Sequence, residues 1–333
     1  MRIFRDLCEH PRRALTMLAL AAALPFASPL THAAAPLAKT QAPGFYRLMV
    51  GELEVTALLD AVDPWPEAMD ELFPALSAEQ KNSLRQRTHA QPSNDFSTIA
   101  FLVNTGKKLI LIDAGGGKSQ PGYGQLFSNL KAAGYAPEQV DDIYITHMHP
   151  DHVFGLLDGE QRAFPNAVVH ADAHELPQWQ AGAAKGNKTA QAIVAKLAPY
   201  IAAKRYQPFD GDTRFSPELR AVARYGHTEG HSFYIIESRG QRLQFWGDFV
   251  VNDKVQLELP DTAPPGEKDA AQGIAMRQRE YAASARSGEL IAGAHFAFPG
   301  IGRLRALGSH YIWVPADYAA LPASTTASTS ATP

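Results

Sequence analysis

The chain has 333 residues, 45% of them hydrophobic and 20% charged, which is the composition of a globular protein able to bury a substantial core. Its length allows one large domain or two small ones, and its formal charge of −3 argues against nucleic acid or any other polyanion as a partner. Residues 1–33 read as a secretory signal. Arg2, Arg5, Arg12 and Arg13 precede an apolar stretch over 14–30, and Thr31-His32-Ala33 offers a small-x-small cleavage site. A permanent span needs about 20 apolar residues. The stretch is short for that and is broken by Pro25 and Pro29, so no stable membrane anchor is expected after cleavage. Arg12-Arg13 ahead of the apolar run also matches a twin-arginine signal. The expected location is therefore periplasmic or secreted. Residues 1–33 hold four Arg, one Asp and one Glu, so the remainder carries 27 basic and 32 acidic groups, a charge of −5. Cys8, the one cysteine, also lies there, which leaves the mature chain with neither a disulfide nor a cysteine metal ligand.

Residues 34–43 read as a linker, 44–318 as the folded domain and 319–333, rich in Ala, Ser, Thr and Pro, as a disordered tail. Within the domain, 46–50 and 53–59 predict a hairpin across Gly51-Glu52, and 66–86 is helix-prone and amphipathic. A second hairpin, 98–104 with 108–113 across Thr105-Gly106, delivers Asp113 at a strand end. The following Gly115-Gly116-Gly117 lacks the Lys-Ser/Thr ending of a phosphate-binding loop. Residues 123–134 predict a helix closed by glycine, and 140–145 a buried strand. Asp172 is expected to cap a helix opening at 172–176, and 188–200 to form another. Strands at 219–224, 233–237 and 243–246 would bring His227 and Asp248 to their ends. A helix at 270–285 follows, then a strand at 290–293 leading to His295, and 304–307 and 311–314 close the sheet. His170 and His174 are assigned ordinary polar and surface roles.

The strand at 140–145 runs into His147-Met148-His149-Pro150-Asp151-His152. Residues two apart in an extended segment share a side, so His147 and His149 can point together. Pro150 suits the first position of a helix, where its missing N–H costs nothing, and Asp151 and His152 can aim back from that turn. Three imidazoles and a carboxylate in one volume are costly to bury without a cation and suit a borderline divalent metal such as zinc.

The motif His147-x-His149-x-Asp151-His152 resembles the signature of the metallo-β-lactamase fold. Three further positions complete the resemblance: His227 in Gly226-His227-Thr228-Glu229-Gly230-His231, Asp248 in Phe245-Trp246-Gly247-Asp248, and His295 in Ala292-Gly293-Ala294-His295. Within that fold the chain looks most like the methyl parathion hydrolases and their lactonase and aryl-esterase relatives. The stretches Gly44-Phe45-Tyr46-Arg47, Leu130-Lys131-Ala132-Ala133-Gly134-Tyr135, Phe164-Pro165-Asn166-Ala167-Val168-Val169 and Phe298-Pro299-Gly300-Ile301-Gly302 carry that likeness.

The resemblance implies an α+β fold, an αββα sandwich, holding two divalent ions, zinc first, with manganese, cobalt or iron as alternatives. It assigns His147, His149 and His227 to one ion, Asp151, His152 and His295 to the other, and Asp248 to both. Asp113 and His231 would hydrogen-bond the ligands. A metal-bridging hydroxide would attack an ester-type small molecule: a lactone, a carboxylic or aryl ester, or an organophosphate triester. Asp151 and Asp248 are the catalytic candidates, and no proton donor to the leaving group is assignable. Trp179, Phe296 and Phe298 are the expected pocket aromatics. Residues 115–122 and 181–199 lack the aromatics that the family places there, which predicts an aromatic-poor pocket favouring lactones or simple esters. A homodimer is compatible with the resemblance. A same-fold iron oxidoreductase of the sulfur dioxygenase kind and a non-catalytic metal-binding protein are the alternatives, and the complete set of seven ligands favours the enzyme. If export follows the twin-arginine route, replacing Arg12 and Arg13 by Lys should leave precursor in the cytoplasm on fractionation. Unimpaired export would instead indicate the general secretory route.

Overall fold

A computed structural model describes residues 35–90, 96–119 and 122–321. The expected signal at 1–33 and most of the expected tail lie outside the described residues. No described helix is long and apolar enough to cross a membrane. The described residues from Gln41 onward form one unit.

A first sheet uses Phe45–Val50 (β1), Leu53–Asp63 (β2), Phe96–Asn104 (β3), Leu109–Ile112 (β4) and Asp142–Tyr144 (β5). After a small hairpin of Leu157–Asp158 (β6) and Gln161–Arg162 (β7), Val168–Asp172 (β8) and Tyr206–Phe209 (β9) complete it, in the order β1-β2-β3-β4-β5-β8-β9. Strands β1 to β4 pair antiparallel, whereas β4, β5, β8 and β9 run parallel. The second sheet is Thr213–Arg214 (β10), Leu219–Ala223 (β11), Ser232–Ser238 (β12), Gln241–Phe245 (β13), Leu290–Ala292 (β14), Ile301–Leu307 (β15) and His310–Pro315 (β16), in sequence order. Its one parallel pair is β13 with β14.

The reason for a four-layer arrangement is visible in β3 and β4, which are apolar on both faces. Ile99, Phe101, Val103, Ile110 and Ile112 point into a core shared with Tyr234, Ile236, Leu243 and Phe245 of the second sheet. Their alternates Ala100, Leu102, Leu109 and Leu111 face the opposite way. There they meet the helices Leu126–Ala132 and Lys188–Ala202 through Leu126, Leu130, Ile193, Leu197 and Tyr200. Strands buried on both faces need layers on both sides. The outer face of the second sheet is covered by the helix Ala270–Ser287, whose Tyr281 stacks on Trp246 at 5.8 Å, with Phe233 on the other side of the indole at 5.4 Å. The αββα sandwich expected from the sequence is the fold observed.

Two expectations are corrected in detail, and one strand was missed. The helix-prone region 66–86 is two helices, Ala68–Leu72 and Ala78–Thr88, because Pro74 interrupts the first and a capping box of Ser77 and Gln80 starts the second. Asp172 does not cap a helix. It ends β8, and the helix Glu175–Ala184 starts three residues later, with His174 at its N-cap. Strand β9 was not foreseen, since exposed Gln207 and Pro208 between half-buried Tyr206 and buried Phe209 give no periodic signal.

The strand directions gather the site at one edge. Parallel β4 and β5 end together, placing Asp113 beside the His147 loop, and parallel β13 and β14 place Asp248 beside His295. Strand β11 runs in the same sense as β13, since each is antiparallel to β12, so the loop bearing His227 leaves at that edge too. Hydrogen bonds join the sheets there, Ser232 N–H to Thr146 C=O at 2.9 Å and Tyr234 O–H to Ile145 C=O at 2.8 Å. Phe101 and Phe245 meet in the core behind the site at 5.4 Å between ring centroids. Phe101→Ala should cost about 3–5 kcal/mol in chemical denaturation, the range for deleting a fully buried aromatic.

Candidate metal centre

His149 precedes the short helix Pro150–Val153, in which Pro150 takes the first position as expected. Two groups of donor atoms result. Those of His147, His149, His227 and Asp248 lie within 4.8 Å of one another, and so do those of Asp151, His152, Asp248 and His295. In the first group His147 Nε2 is 2.9 Å from His149 Nδ1 and 3.2 Å from His227 Nε2, with His149 Nδ1 to His227 Nε2 at 3.1 Å. Zinc–nitrogen bonds of about 2.0–2.1 Å in a tetrahedron put ligand nitrogens about 3.3 Å apart. In the second group Asp248 Oδ1 is 2.9 Å from both His152 Nε2 and His295 Nε2, and Asp151 Oδ2 is 3.3 Å from His295 Nε2.

Hydrogen bonds behind the rings decide which nitrogen faces the centre. His152 donates from Nδ1 to Asp113 Oδ2 at 2.8 Å, and His295 donates from Nδ1 to the Ser97 carbonyl at 2.8 Å. Thr146 Oγ1 donates to Asp113 Oδ2 at 2.8 Å, which leaves it free to accept from His147 Nδ1 at 3.2 Å. Each of these three rings therefore turns the lone pair of Nε2 inward. His152 Nε2, His295 Nε2 and Asp248 Oδ1 are buried and lack any hydrogen-bond partner despite their proximity. Imidazole nitrogens and a carboxylate oxygen buried together at one point fit a cation there, in place of the protons that the carboxylates otherwise favour on His152 and His295. The donor set, imidazole and carboxylate, suits zinc and its neighbours in the first transition row.

Asp113 and His231 sit where the sequence places them. Asp113 also accepts from Thr146 N–H at 2.8 Å and adopts a left-handed φ of 60°, a conformation that aspartate tolerates better than most residues. His231 donates from Nδ1 to the Arg224 carbonyl and accepts from Asp248 N–H at Nε2, both at 3.2 Å. It thereby fixes the backbone of the shared carboxylate. Burial holds its imidazole neutral, with the pKa down to about 3. Gly247 makes this turn possible: at φ +50° an added Cβ would stand 2.6 Å from Thr146 Oγ1 and 2.9 Å from His231 Nε2.

The field of the cluster separates the two groups. Burial first, then neighbouring imidazoles, holds His147 and His227 well below the ordinary histidine pKa, and burial lowers His149. Burial opposes the cation at His152 too, but Asp248, Asp151 and Asp113 together raise it well above its ordinary value. His295 is raised in the same way, chiefly by Asp248. Asp248 stays ionised against burial because His295, His152 and His147 surround it.

Above the cluster opens a cleft of about 500 Å³, lined by His149, Asp151, His227, Asp248 and His295 below and by Pro64, Trp65, Leu72, Phe96, Tyr123 and Pro264 on its walls. This corrects the expected pocket. Phe296 is fully buried, packed on Trp313 at 4.3 Å on the far side of the second sheet. Phe298 is 36% exposed and lines an adjoining depression with Val62 and Phe96. Trp179 packs edge-on against His149 at 5.7 Å, behind that ring and not among the residues lining the cleft. The expected scarcity of aromatics is also overturned. Phe96 lies against the His295 ring at 4.1 Å, Trp65 meets Phe96 at 5.7 Å, and Tyr123 covers Gly116. All three lie outside the stretches used for the expectation, and their chain positions carry no signal that they converge.

Two buried carboxylates were also missed. Asp60 accepts from Gly116, Gly124 and Leu126 N–H groups and so shapes the wall that bears Tyr123; burial raises its pKa to about 6. Glu175 binds both histidine loops. A third cluster, Asp172, His174 and Asp210, lies at a surface turn. Asp172 there already accepts from His174 N–H, Gly211 N–H and Tyr225 O–H, as expected of an ordinary polar site.

Because Asp248 belongs to both donor groups, Asp248→Ala should lower bound metal from two ions per chain to one or none by elemental analysis, with a native circular dichroism spectrum.

The chain was compared with known proteins. The family model described as metallo-beta-lactamase superfamily matches residues 94–293. Among solved structures, the hydrolase AbOPH of the beta lactamase superfamily is 33% identical, with a TM-score of 0.78 over 84% of this chain and 100% of its own. AidC, a dizinc quorum-quenching lactonase, is 23% identical, with a TM-score of 0.75 over 83% of this chain and 99% of its own. A probable metal-dependent hydrolase from Staphylococcus aureus is 18% identical, with a TM-score of 0.61 over 74% and 91%. A search of curated proteins gives no match. On the family match, the AbOPH identity and the fold, the chain belongs to the metallo-beta-lactamase superfamily.

Proposed function

We propose that this protein is a dinuclear metal-dependent hydrolase of neutral, largely apolar esters, acting on lactones and simple carboxylic esters ahead of organophosphate triesters. The observation that carries this reading is the cleft. Its described lining includes the carboxylates Asp63, Asp151 and Asp248 but no Lys or Arg, while its walls are aromatic and aliphatic. With Asp151 and Asp248 engaged by the ions, the described walls offer a substrate apolar surface and no side-chain cation, which suits a neutral, largely apolar group. The description of AbOPH as a hydrolase accords with it.

His147, His149 and His227 would hold one ion, Asp151, His152 and His295 the other, and Asp248 both. Bound there, two divalent ions supply a water acidic enough to attack at neutral pH and a Lewis acid for the substrate oxygen. The chain's own groups do the rest. Asp113, Thr146 and His231 keep the ligands oriented, and Trp65, Phe96 and Leu72 displace water from the substrate face.

Pocket shape does not separate the classes, since the aromatic walls suit an aryl group as well; a proton donor for the leaving oxygen would favour lactones and alkyl esters. A phenolate leaves unaided, but an alkoxide needs a proton or a cation as it departs. Tyr123 lines the cleft with Asp151, and burial, reinforced by the charge of Asp151, pushes its phenol up to about 12. It thus stays protonated across the working range and is the hydrogen-bond donor for which the sequence offered no candidate.

Initial rates on lactones, aryl esters and phosphotriesters, measured on protein of defined zinc content, test the proposal. The kcat/KM for the best lactone or alkyl ester should exceed that for the triesters at least about tenfold, or 1.4 kcal/mol. Faster triester hydrolysis, or an iron-loaded protein that consumes dioxygen, would overturn it. Tyr123→Phe should cost lactones at least about tenfold and aryl esters less than about threefold. Equal losses would reduce Tyr123 to a wall.

A further inference from the structure

Glu175 opens its helix beside the metal centre, and no described Lys, Arg or His is paired with it. Its side chain is fully buried, yet it receives donors from three segments. Oε2 accepts Met148 N–H at 2.8 Å, between His147 and His149, and faces the Trp179 indole N–H at 3.5 Å. Oε1 accepts Gly230 N–H at 3.0 Å and the hydroxyl of Thr228, the residue after His227. One carboxylate therefore grips the backbone flanking all three histidines of a single donor group, while Trp179, on the same helix, supports the His149 ring.

The approach is tight. A Cβ on Gly230 would stand 2.9 Å from Glu175 Cγ and 3.0 Å from its backbone nitrogen, so only glycine lets the loop reach the helix. Every polar neighbour donates, which matches a group that has two acceptor oxygens and no donor. Glutamine would turn an N–H toward one of those donors and leave it unsatisfied.

We propose that Glu175 is a positioning residue for the His147–His149–His227 site, holding the two loops at the separation that one ion requires. It makes no bond to the short helix bearing His152 or the loop bearing His295, whose rings are oriented instead by Asp113 and the Ser97 carbonyl. The proposal rests on these histidines being metal ligands.

Zinc affinities of wild type, Glu175→Gln and Thr228→Val, measured by chelator competition, provide the test. Glu175→Gln should bind one of two ions ten- to a hundredfold more weakly, the range for losing a group that orients a ligand, and the other within about twofold. Thr228→Val, which removes a single donor, should move the same ion in the same direction by less, and it carries the test if the glutamine variant does not fold. A purely structural change is represented by Asp142→Asn, which disrupts a buried carboxylate bonded to His170 and Lys108, and which should lower Tm with both affinities unchanged. Unaltered zinc binding in Glu175→Gln, or equal weakening of both ions, would overturn the proposal. Failure of the ligand reading itself would show in the wild type, as fewer than two ions bound.

Discussion

Asp248 is the carboxylate on which the two halves of the site meet. It lies 2.9 Å from the inward nitrogens of both His152 and His295 and belongs to the His147–His149–His227 group as well. Seven ionisable side chains in a largely buried volume would repel or strand one another if their rings could turn. Thr146, Asp113 and the Ser97 carbonyl prevent that by taking the outward Nδ1–H of three imidazoles. The inward lone pairs are then a consequence of hydrogen bonding behind the rings, and His231 applies the same logic to the backbone of Asp248.

The fold serves this arrangement through strand direction. Each sheet contains a parallel pair, β4 with β5 and β13 with β14, and a parallel pair ends at one edge. Loops leaving that edge can be short, and the core of Phe101, Tyr234 and Phe245 directly behind it keeps their bases rigid. Ligands placed on strand ends move less than ligands on long loops, which matters when donor atoms must stay about 3 Å apart.

The cleft above the cluster combines the carboxylates Asp63, Asp151 and Asp248 with apolar walls and, in its described lining, no Lys or Arg. Its walls come from Trp65 after β2, Phe96 at the start of β3 and Tyr123 beyond the glycine run, three regions far apart in sequence. Buried Asp60 ties the last of these down through the Gly116 and Gly124 N–H groups.

The sequence by itself pointed to the candidate metal centre, because spacing in an extended strand and the entry into a helix are local, and the family resemblance added the three later positions. His147, His149, Asp151 and His152 lie in six consecutive residues, and His227, Asp248 and His295 each stand in a short motif at a strand end. The sandwich was legible only through the family resemblance, since composition and periodicity alone indicated no more than mixed α and β. Only the tertiary structure decided the cleft and the supports. Phe296 and Phe298 neighbour His295 in sequence, but all three lie in the turn between β14 and β15, which sends Phe296 into the core and Phe298 outward to an adjoining depression. Trp65, Phe96 and Tyr123 look like core aromatics until the chain brings them over the ligands. Glu175 looks like a surface helix residue until two loops close on its carboxylate. Ligand motifs follow from backbone geometry within a few residues, whereas walls and supports depend on contacts between residues tens of positions apart, which no local pattern encodes.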